Sequence, residues 1–470
     1  MYQYNKVTGE LIQELILVLG DRFVTTDPEK LEVYKTDEES NPKYHHLPEV
    51  VVFPENTEQV AAVVKLANKY TVPITPRCAG TSLAGGAIPV HGGIVLVLER
   101  MNKIVEFNEE GMYAVVQAGV RTAEVQAKAK RHGLLYAGDP CSSDSCQIGG
   151  NMATNAGGNK AVKYGTTRDQ VYALEMVTPT GEIVNVGARL QKRSTGYALE
   201  KLIVGSEGTL GIVTQATLKL RPLAPYHIDI LAIFTDNEKA LSLPNRILKA
   251  GVDPTSIEYM DNQAINCCGK YIKVDLPWAD KDGIYVIITI EAFDEDDIDK
   301  KSEILDELCA NVGAVEMLIA DEERIWKARR NYGEAARDAS LVYYAEDFVV
   351  PLDKIYEAVN CLPELEKKYG IATMTVAHIG DGNIHTDLMK FNIPDEEWDE
   401  KVKAFHNDLF PVIYGLGGRL SGEHGIGSKR VKDMKKYADP VELQIMISIK
   451  KALDPKGILN PGKMFDLVKQ

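Results

Sequence analysis

Pro76-Arg77-Cys78-Ala79-Gly80-Thr81-Ser82-Leu83-Ala84-Gly85-Gly86 is the stretch on which the reading of this chain turns. It follows a short β-prone run at 73–75 and opens a glycine-rich loop over residues 78–93. Glycines there let backbone N–H groups converge on an anion with no Cβ in the way, the physical basis of a phosphate nest. Gly80 and Gly85 have the outer spacing of a P-loop, but Gly86-Ala87 stands where Lys-Ser/Thr is required, which excludes an NTPase. A GxGxxG is absent, so a Rossmann dinucleotide site is unsupported.

Upstream of it, residues 50–53 (VVVF) read as a strand, and Asn56 offers a helix cap with Gln59 at the third helical position. Val60, Val63, Val64 and Ala67 then recur at helical spacing, giving a βα unit. Downstream, strands are expected at 94–98, 104–107 and 113–117, and a helix at 121–132. A second glycine-rich loop, 137–158, contains Pro140, Ser142, Ser143, Cys146, Ile148, Gly149, Gly150, Asn151, Ala153, Asn155, Gly157 and Gly158. A third element, Glu207-Gly208-Thr209-Leu210-Gly211-Ile212-Val213, leads into a strand. Loops this long inside a compact domain usually bind something.

The whole chain has 470 residues, enough for two or three domains. Its 45% hydrophobic and 26% charged residues are ordinary for a globular protein. The 53 basic against 68 acidic side chains give a net charge of −15, so nucleic acid is not an expected partner. No apolar run approaches the roughly 20 residues of a membrane span. The N-terminus MYQYNKVTGE shows no basic-then-apolar leader, and the cytoplasm is the expected location. Seven cysteines with no CxxC fit neither a disulfide framework nor an iron–sulfur run. Beyond the punctuated stretch Arg221-Pro222-Leu223-Ala224-Pro225, strand-then-helix patterns recur at 228–234 and 238–250, at 285–293 and 296–312, and again over 349–369. The acidic run at 294–297 suits a helix start.

RCAGTSLAGGAIP, DPCSSDSCQIGGNMATNAGG, GSEGTLGIV and the terminal LDPKGILNPGKMF together resemble the vanillyl-alcohol-oxidase-type FAD proteins, and within them the D-lactate, glycolate and D-2-hydroxyglutarate dehydrogenase branch. The resemblance spans about residues 45–466. It implies an α+β chain: an N-terminal helical segment (1–46), an FAD-binding domain (47–225), an α+β substrate and metal-binding cap domain (226–430), and a C-terminal segment (431–470) that returns to complete the flavin site. It implies that Pro76, Arg77, Gly80, Thr81, Ser82, Leu83, Gly85 and Gly86 hold the pyrophosphate. The second loop from Pro140 to Gly158, Tyr164 and Gly165, and Glu207, Gly208, Gly211, Ile212 and Val213 would surround the rest of the cofactor, with Asn460 near the isoalloxazine. Relatives with covalent FAD place a histidine in the stretch that residues 76–86 match; here those residues include none, which implies non-covalent FAD.

Val376-Ala377-His378-Ile379-Gly380-Asp381-Gly382-Asn383-Ile384-His385 carries the chemistry. Asp381-Gly382 is a favoured two-residue hairpin turn, which would pair residue 378 with 385 and set both imidazoles within reach of one metal ion. Further on, Gly422-Glu423-His424-Gly425 supplies a carboxylate and an imidazole in a glycine-flanked loop. Two histidines and a carboxylate suit a catalytic metal site. The resemblance implies His378, His385 and Glu423 as ligands of zinc, iron or manganese, and His424 as the base; some relatives have asparagine where Asp387 stands. Arg329 lies on the apolar stripe of Ile325, Ala328 and Tyr332, which suits either an ion pair or a bound anion. The resemblance implies that it grips the substrate carboxylate, and Ala345, where dicarboxylate-specific relatives carry lysine, favours a small monocarboxylate. The expected activity is FAD- and metal-dependent oxidation of D-lactate to pyruvate. Electrons would pass to a partner electron-transferring flavoprotein, with coupling to NAD and ferredoxin in some relatives. A glycolate or D-2-hydroxyglutarate dehydrogenase and a non-catalytic flavin electron-transfer subunit are the alternatives.

Overall fold

The computed structural model describes residues 2–39 and 41–467, so Met1, Ser40 and 468–470, which belong to the expected terminal segments, lie outside the described residues. The chain divides into two compact units, one of Met1–Gly157, Thr166–Leu223 and His424–Gln470, the other of Gly158–Gly165 and Ala224–Glu423.

In the first unit, Val50–Val52, Ile94–Val97 and Ile74–Arg77 pair in parallel, with Val24–Thr25 antiparallel at one edge. The helix Thr57–Tyr70 connects two of these strands, and Asn56 caps it by accepting the Gln59 N–H at 2.9 Å. Val60, Val63, Val64 and Ala67 are fully buried against Val50, Val52, Ile74 and Leu96, so the helical period and the apolar strands meet in one core. The C-terminal segment joins the same sheet: Ile74 N donates to Ile458 O at 2.8 Å and Asn460 N to Ile74 O at 2.7 Å. A second, five-stranded antiparallel sheet runs in the order Ile104–Asn108, Tyr113–Gln117, Ile212–Lys219, Val171–Val177, Ile183–Gly187. Alternate residues of Ile212–Lys219 are buried, as a strand with one face on a core requires.

The second unit is built on a seven-stranded antiparallel sheet in the order Glu316–Ile319, Tyr226–Phe234, Ile284–Ala292, Ser256–Met260, Ala372–His378, Asn383–Met389, Tyr343–Val349. Two of the strand-then-helix pairs read from sequence are present, with helices Asn237–Lys249 and Glu295–Val312. Asp294 caps the latter by accepting the Asp297 N–H. The third differs, because the strand ends at Val349 where it was expected to begin; Pro351 then starts a turn leading into helices Ile355–Asn360 and Leu362–Tyr369. Helices Asn262–Ile272 and Tyr332–Ala339 pack on the sheet face that carries Met260, Val376 and Met374. No helix among the described residues is long and apolar enough to cross a membrane.

Candidate cofactor and metal sites

In the first unit the strand Ile74–Arg77 delivers Pro76 and Arg77 to the glycine loop. Arg77 is buried and donates from Nη1 to Thr36 O at 2.6 Å. Gly80, at φ +76°, makes room for that guanidinium, since a Cβ would fall 2.1 Å from Nη2. Ser82 Oγ accepts the Ala84 and Gly86 N–H groups, curling the loop that contains Thr81, Leu83 and Gly85. In the second loop, Cys146 N donates to Ser142 O and Ser143 N to Pro140 O, and the helix Ile148–Thr154 carries Gly149, Gly150, Asn151 and Ala153. Cys146 Sγ and Asn151 Nδ2 both meet the Thr122 hydroxyl, while Asn155 Oδ1 accepts from Thr166 and Arg168. Gly157 ends this stretch. Gly158, Tyr164 and Gly165, grouped with the flavin residues by sequence, fall in the second unit, where the Tyr164 hydroxyl donates to Glu291.

The third element closes the first unit's site. Gly208 and Gly211 precede the strand in which Ile212 is buried and Val213 half-buried. The buried Glu207 carboxylate accepts the Ile426 and Gly427 N–H groups at 2.7 and 2.8 Å, so it holds the 426–427 turn. Asn460 is 2% exposed; its Nδ2 donates to Glu207 O and Gly86 O, and its Oδ1 has no hydrogen-bond partner among the described residues. A buried acceptor left open where the first and third glycine elements meet the C-terminal segment fits a cofactor with N–H or O–H donors, as FAD has. Two buried cations here were not singled out from sequence. Lys429 pairs with Glu39 at 2.6 Å, and Lys463 donates to Ile88 O at 2.6 Å with its pKa brought down to about 8 by burial. The N-terminal segment offers no glycine spacing or motif that would have flagged Thr36 or Glu39.

The second unit brings the expected metal residues together. The hairpin is not the two-residue turn expected: residues 379–382 form a four-residue loop, and His378 lies opposite Asn383 while His385 lies opposite Val376. Tertiary contacts set that loop length. Gly382, at φ +91°, lies where a Cβ would be 2.1 Å from Val350 O, and Gly380 N donates to Ile257 O. Both histidines still share one face, with ring centroids 5.2 Å apart and planes at 89°. Glu423 Oε1 lies 3.2 Å from His385 Nε2 and 3.8 Å from His378 Nε2. The three ligand atoms lie within 4.8 Å of one another. Two imidazole nitrogens and one carboxylate oxygen fit a divalent transition metal and leave positions for exogenous ligands. Burial raises the Glu423 carboxyl, but the two imidazoles together outweigh it and hold the pKa well below the usual range.

Arg329 is 3% exposed and donates from Nη2 to Glu258 Oε2 at 2.7 Å; Glu258 Oε1 lies 2.8 Å from His378 Nδ1. Glu258 is wholly buried and was missed in the sequence, although a glutamate in the apolar strand SIEYM is a signal in itself. Asp387 is buried on the same face, directly across from Ala345. His424 follows Glu423 directly and is the first residue of the first unit's returning segment.

Residues 48–187 match a family model described as an FAD binding domain, and residues 228–464 match FAD linked oxidases, C-terminal domain. The chain is 34% identical to a D-lactate dehydrogenase of Anaerostipes hadrus, covering 98% of each, and 34% identical to glycolate oxidase subunit GlcD of Bacillus subtilis, covering 98% of this chain and 97% of that one. Among solved structures, p-cresol methylhydroxylase aligns over 100% of both chains with a TM-score of 0.84 at 18% identity. A 4-ethylphenol oxidase from Gulosibacter chungangensis aligns over 98% of both with a TM-score of 0.78 at 20% identity. These structural likenesses carry the fold, which is of the vanillyl-alcohol-oxidase type. With both parts matched, and relatives of this identity over nearly its full length, the chain belongs to the FAD-linked oxidases, flavin-dependent oxidoreductases with an FAD-binding domain and a distinctive C-terminal domain.

Proposed function

We propose that this enzyme oxidises the α-hydroxyl of a small D-2-hydroxy acid, D-lactate first, to the 2-oxo acid, using non-covalent FAD and one divalent ion held by His378, His385 and Glu423. The observation that carries the reading is the convergence of both Nε2 atoms on Glu423 Oε1, at 3.2 and 3.8 Å, from a hairpin and a loop that are remote in sequence. Once bound, FAD supplies a two-electron acceptor and the metal a Lewis acid for the substrate's carboxylate and hydroxyl oxygens.

The chain's own residues supply the rest. His424 takes the hydroxyl proton, which requires a neutral imidazole. Arg329 steadies the substrate carboxylate. Glu258 engages it through Nη2, and a guanidinium carries five N–H donors, so the ion pair and a grip on a carboxylate are compatible. The small side chain of Ala345, on the face shared with His385 and Asp387, suits a substrate without a second carboxylate. Electron delivery to an electron-transferring flavoprotein and a cytoplasmic setting belong to the same proposal, as does the division of the chain read from its sequence.

Anaerobic flavin bleaching against a panel of D- and L-2-hydroxy acids, before and after chelation, tests the reading. Bleaching by D-lactate that is lost on chelation and restored by a divalent metal is expected. Glycolate is the competing substrate, since the glycolate oxidase relative is as similar as the lactate one. A flavin that no D-2-hydroxy acid reduces would overturn the proposal.

A further inference from the structure

Each ligand histidine has a buried carboxylate behind it. Glu258 and His378 are direct cross-strand partners, and Glu258 Oε1 lies 2.8 Å from His378 Nδ1. Asp347 and His385 are direct partners on the other side of the hairpin, and Asp347 Oδ1 lies 3.6 Å from His385 Nδ1, a few tenths of an ångström beyond hydrogen-bond range. In both histidines it is Nε2 that faces Glu423. We infer that Glu258 and Asp347 are the positioning residues of this cation site, each taking the Nδ1–H of one histidine so that both imidazoles present an Nε2 lone pair to the same ion. The inference rests on the proposal that His378, His385 and Glu423 hold a divalent ion.

Asp347 also sets the third ligand. Its Oδ2 accepts the Ser421 hydroxyl at 2.6 Å and the Glu423 N–H at 3.1 Å, its Oδ1 accepts Asn383 Nδ2 at 2.7 Å, and its carbonyl accepts the Gly422 N–H. Gly422 lets the Asn383 side chain lie close, since a Cβ there would sit 2.2 Å from Asn383 Nδ2. Charge points the same way. Three carboxylates, the buried Glu258 and Asp347 together with Glu423, are thus set around the two imidazoles, and a cation is the group that a cluster of this sign accepts.

The test measures zinc affinity directly, by competition with a chromophoric chelator, on FAD-loaded protein first stripped of metal. Removing a carboxylate behind a ligating histidine costs about 10–100-fold in affinity, so Glu258→Gln and Asp347→Asn should each show a loss of that order with flavin content unchanged. Glu346→Gln is the control. Glu346 is an equally buried carboxylate on the same strand, but it faces the other side and bonds His406 Nε2 at 2.6 Å. Its zinc affinity should match the wild type. Wild-type affinity in both Glu258→Gln and Asp347→Asn, or an equal loss in Glu346→Gln, would overturn the inference while leaving the metal-site proposal standing. A wild-type protein that binds no zinc would remove both. Should the variants not fold, ¹⁵N-histidine NMR of zinc-loaded wild type decides: Nδ1–H on both His378 and His385 is expected, and Nε2–H on either overturns it.

Discussion

Replacing Arg329 by methionine separates a support role from a purely substrate-binding one. Arg329 and Glu258 are 3% and 0% exposed and lie 2.7 Å apart, so methionine keeps much of the packing volume but leaves a wholly buried carboxylate with His378 as its remaining named partner. Burial pushes the Glu258 pKa up, and His378 and Arg329 together bring it below the usual value. Breaking such a pair from one side costs about 3–5 kcal/mol. In a unit of roughly 200 residues each kcal/mol moves the midpoint by about 2–4 °C, so a fall of about 6–20 °C is expected. All three tryptophans, Trp278, Trp326 and Trp398, belong to the second unit, so their fluorescence follows that unit while flavin emission follows the first. The melt is run with chelator present, which keeps metal binding out of the comparison. Adding Glu258→Gln to Arg329→Met should recover most of the loss, because the carboxylate that Arg329 compensated is then neutral. A single variant melting within about 2 °C of wild type, given the slope above, or a double variant no more stable than the single, would refute the support role and return Arg329 to the substrate alone.

Three further outcomes follow from the site and the core. His424→Ala should lower kcat by about 10²–10⁴-fold, the usual contribution of a general base; zinc content and flavin content should stay at wild-type values, and an unchanged kcat would move the base elsewhere. Acid precipitation should release all the flavin into the supernatant, since residues 76–86 contain no histidine for covalent attachment, and yellow colour retained in the pellet would contradict this. Burial pushes the thiols of Cys268 and Cys309 from 9.0 up to about 12. A pKa raised on folding contributes stability that is intact below the unfolded value and lost as pH rises through the folded one. The tryptophan-monitored midpoint should therefore fall from about pH 9 upward, less steeply in Cys309→Ala, and equal slopes would show that this thiol does not titrate with folding.

Much of the fold is legible because its signals are local. The spacing of Val60, Val63, Val64 and Ala67 is enough to orient one helix, and all four are buried as that spacing demands. The strand-then-helix pairs at 228–250 and 285–312 are read the same way. The candidate metal ligands are legible for a related reason, since His378 and His385 sit in one short segment and Glu423 in a glycine-flanked loop. What supports them is not local. Glu258 reaches Arg329 and His378 across 71 and 120 residues, and Asp347 reaches Ser421 and Glu423 across 74 and 76. A single carboxylate in a strand carries no spacing to measure, so only the assembled sheet reveals what stands behind each histidine.

The hairpin shows why a register two residues from the expected one still leaves both imidazoles on one face. Side chains alternate faces along a strand, so a slip of one residue would have sent one imidazole to the opposite face of the sheet. The four-residue loop shifts the pairing by two, placing His378 across from Asn383 in place of His385. An even shift preserves the face, and diagonal neighbours on one face remain within reach of long or ring side chains. The rings therefore still meet, at 5.2 Å, and the shift gives each histidine its own acidic neighbour: Glu258 beside His378 and Asp347 beside His385. Had the two-residue turn formed against an unchanged outer strand, His378 would have kept Glu258, but His385 would have slid out of line with Asp347. The longer loop is thus the feature that lines both imidazoles up with their carboxylates, with Gly382 close against Val350 O and Gly380 N donating to Ile257 O.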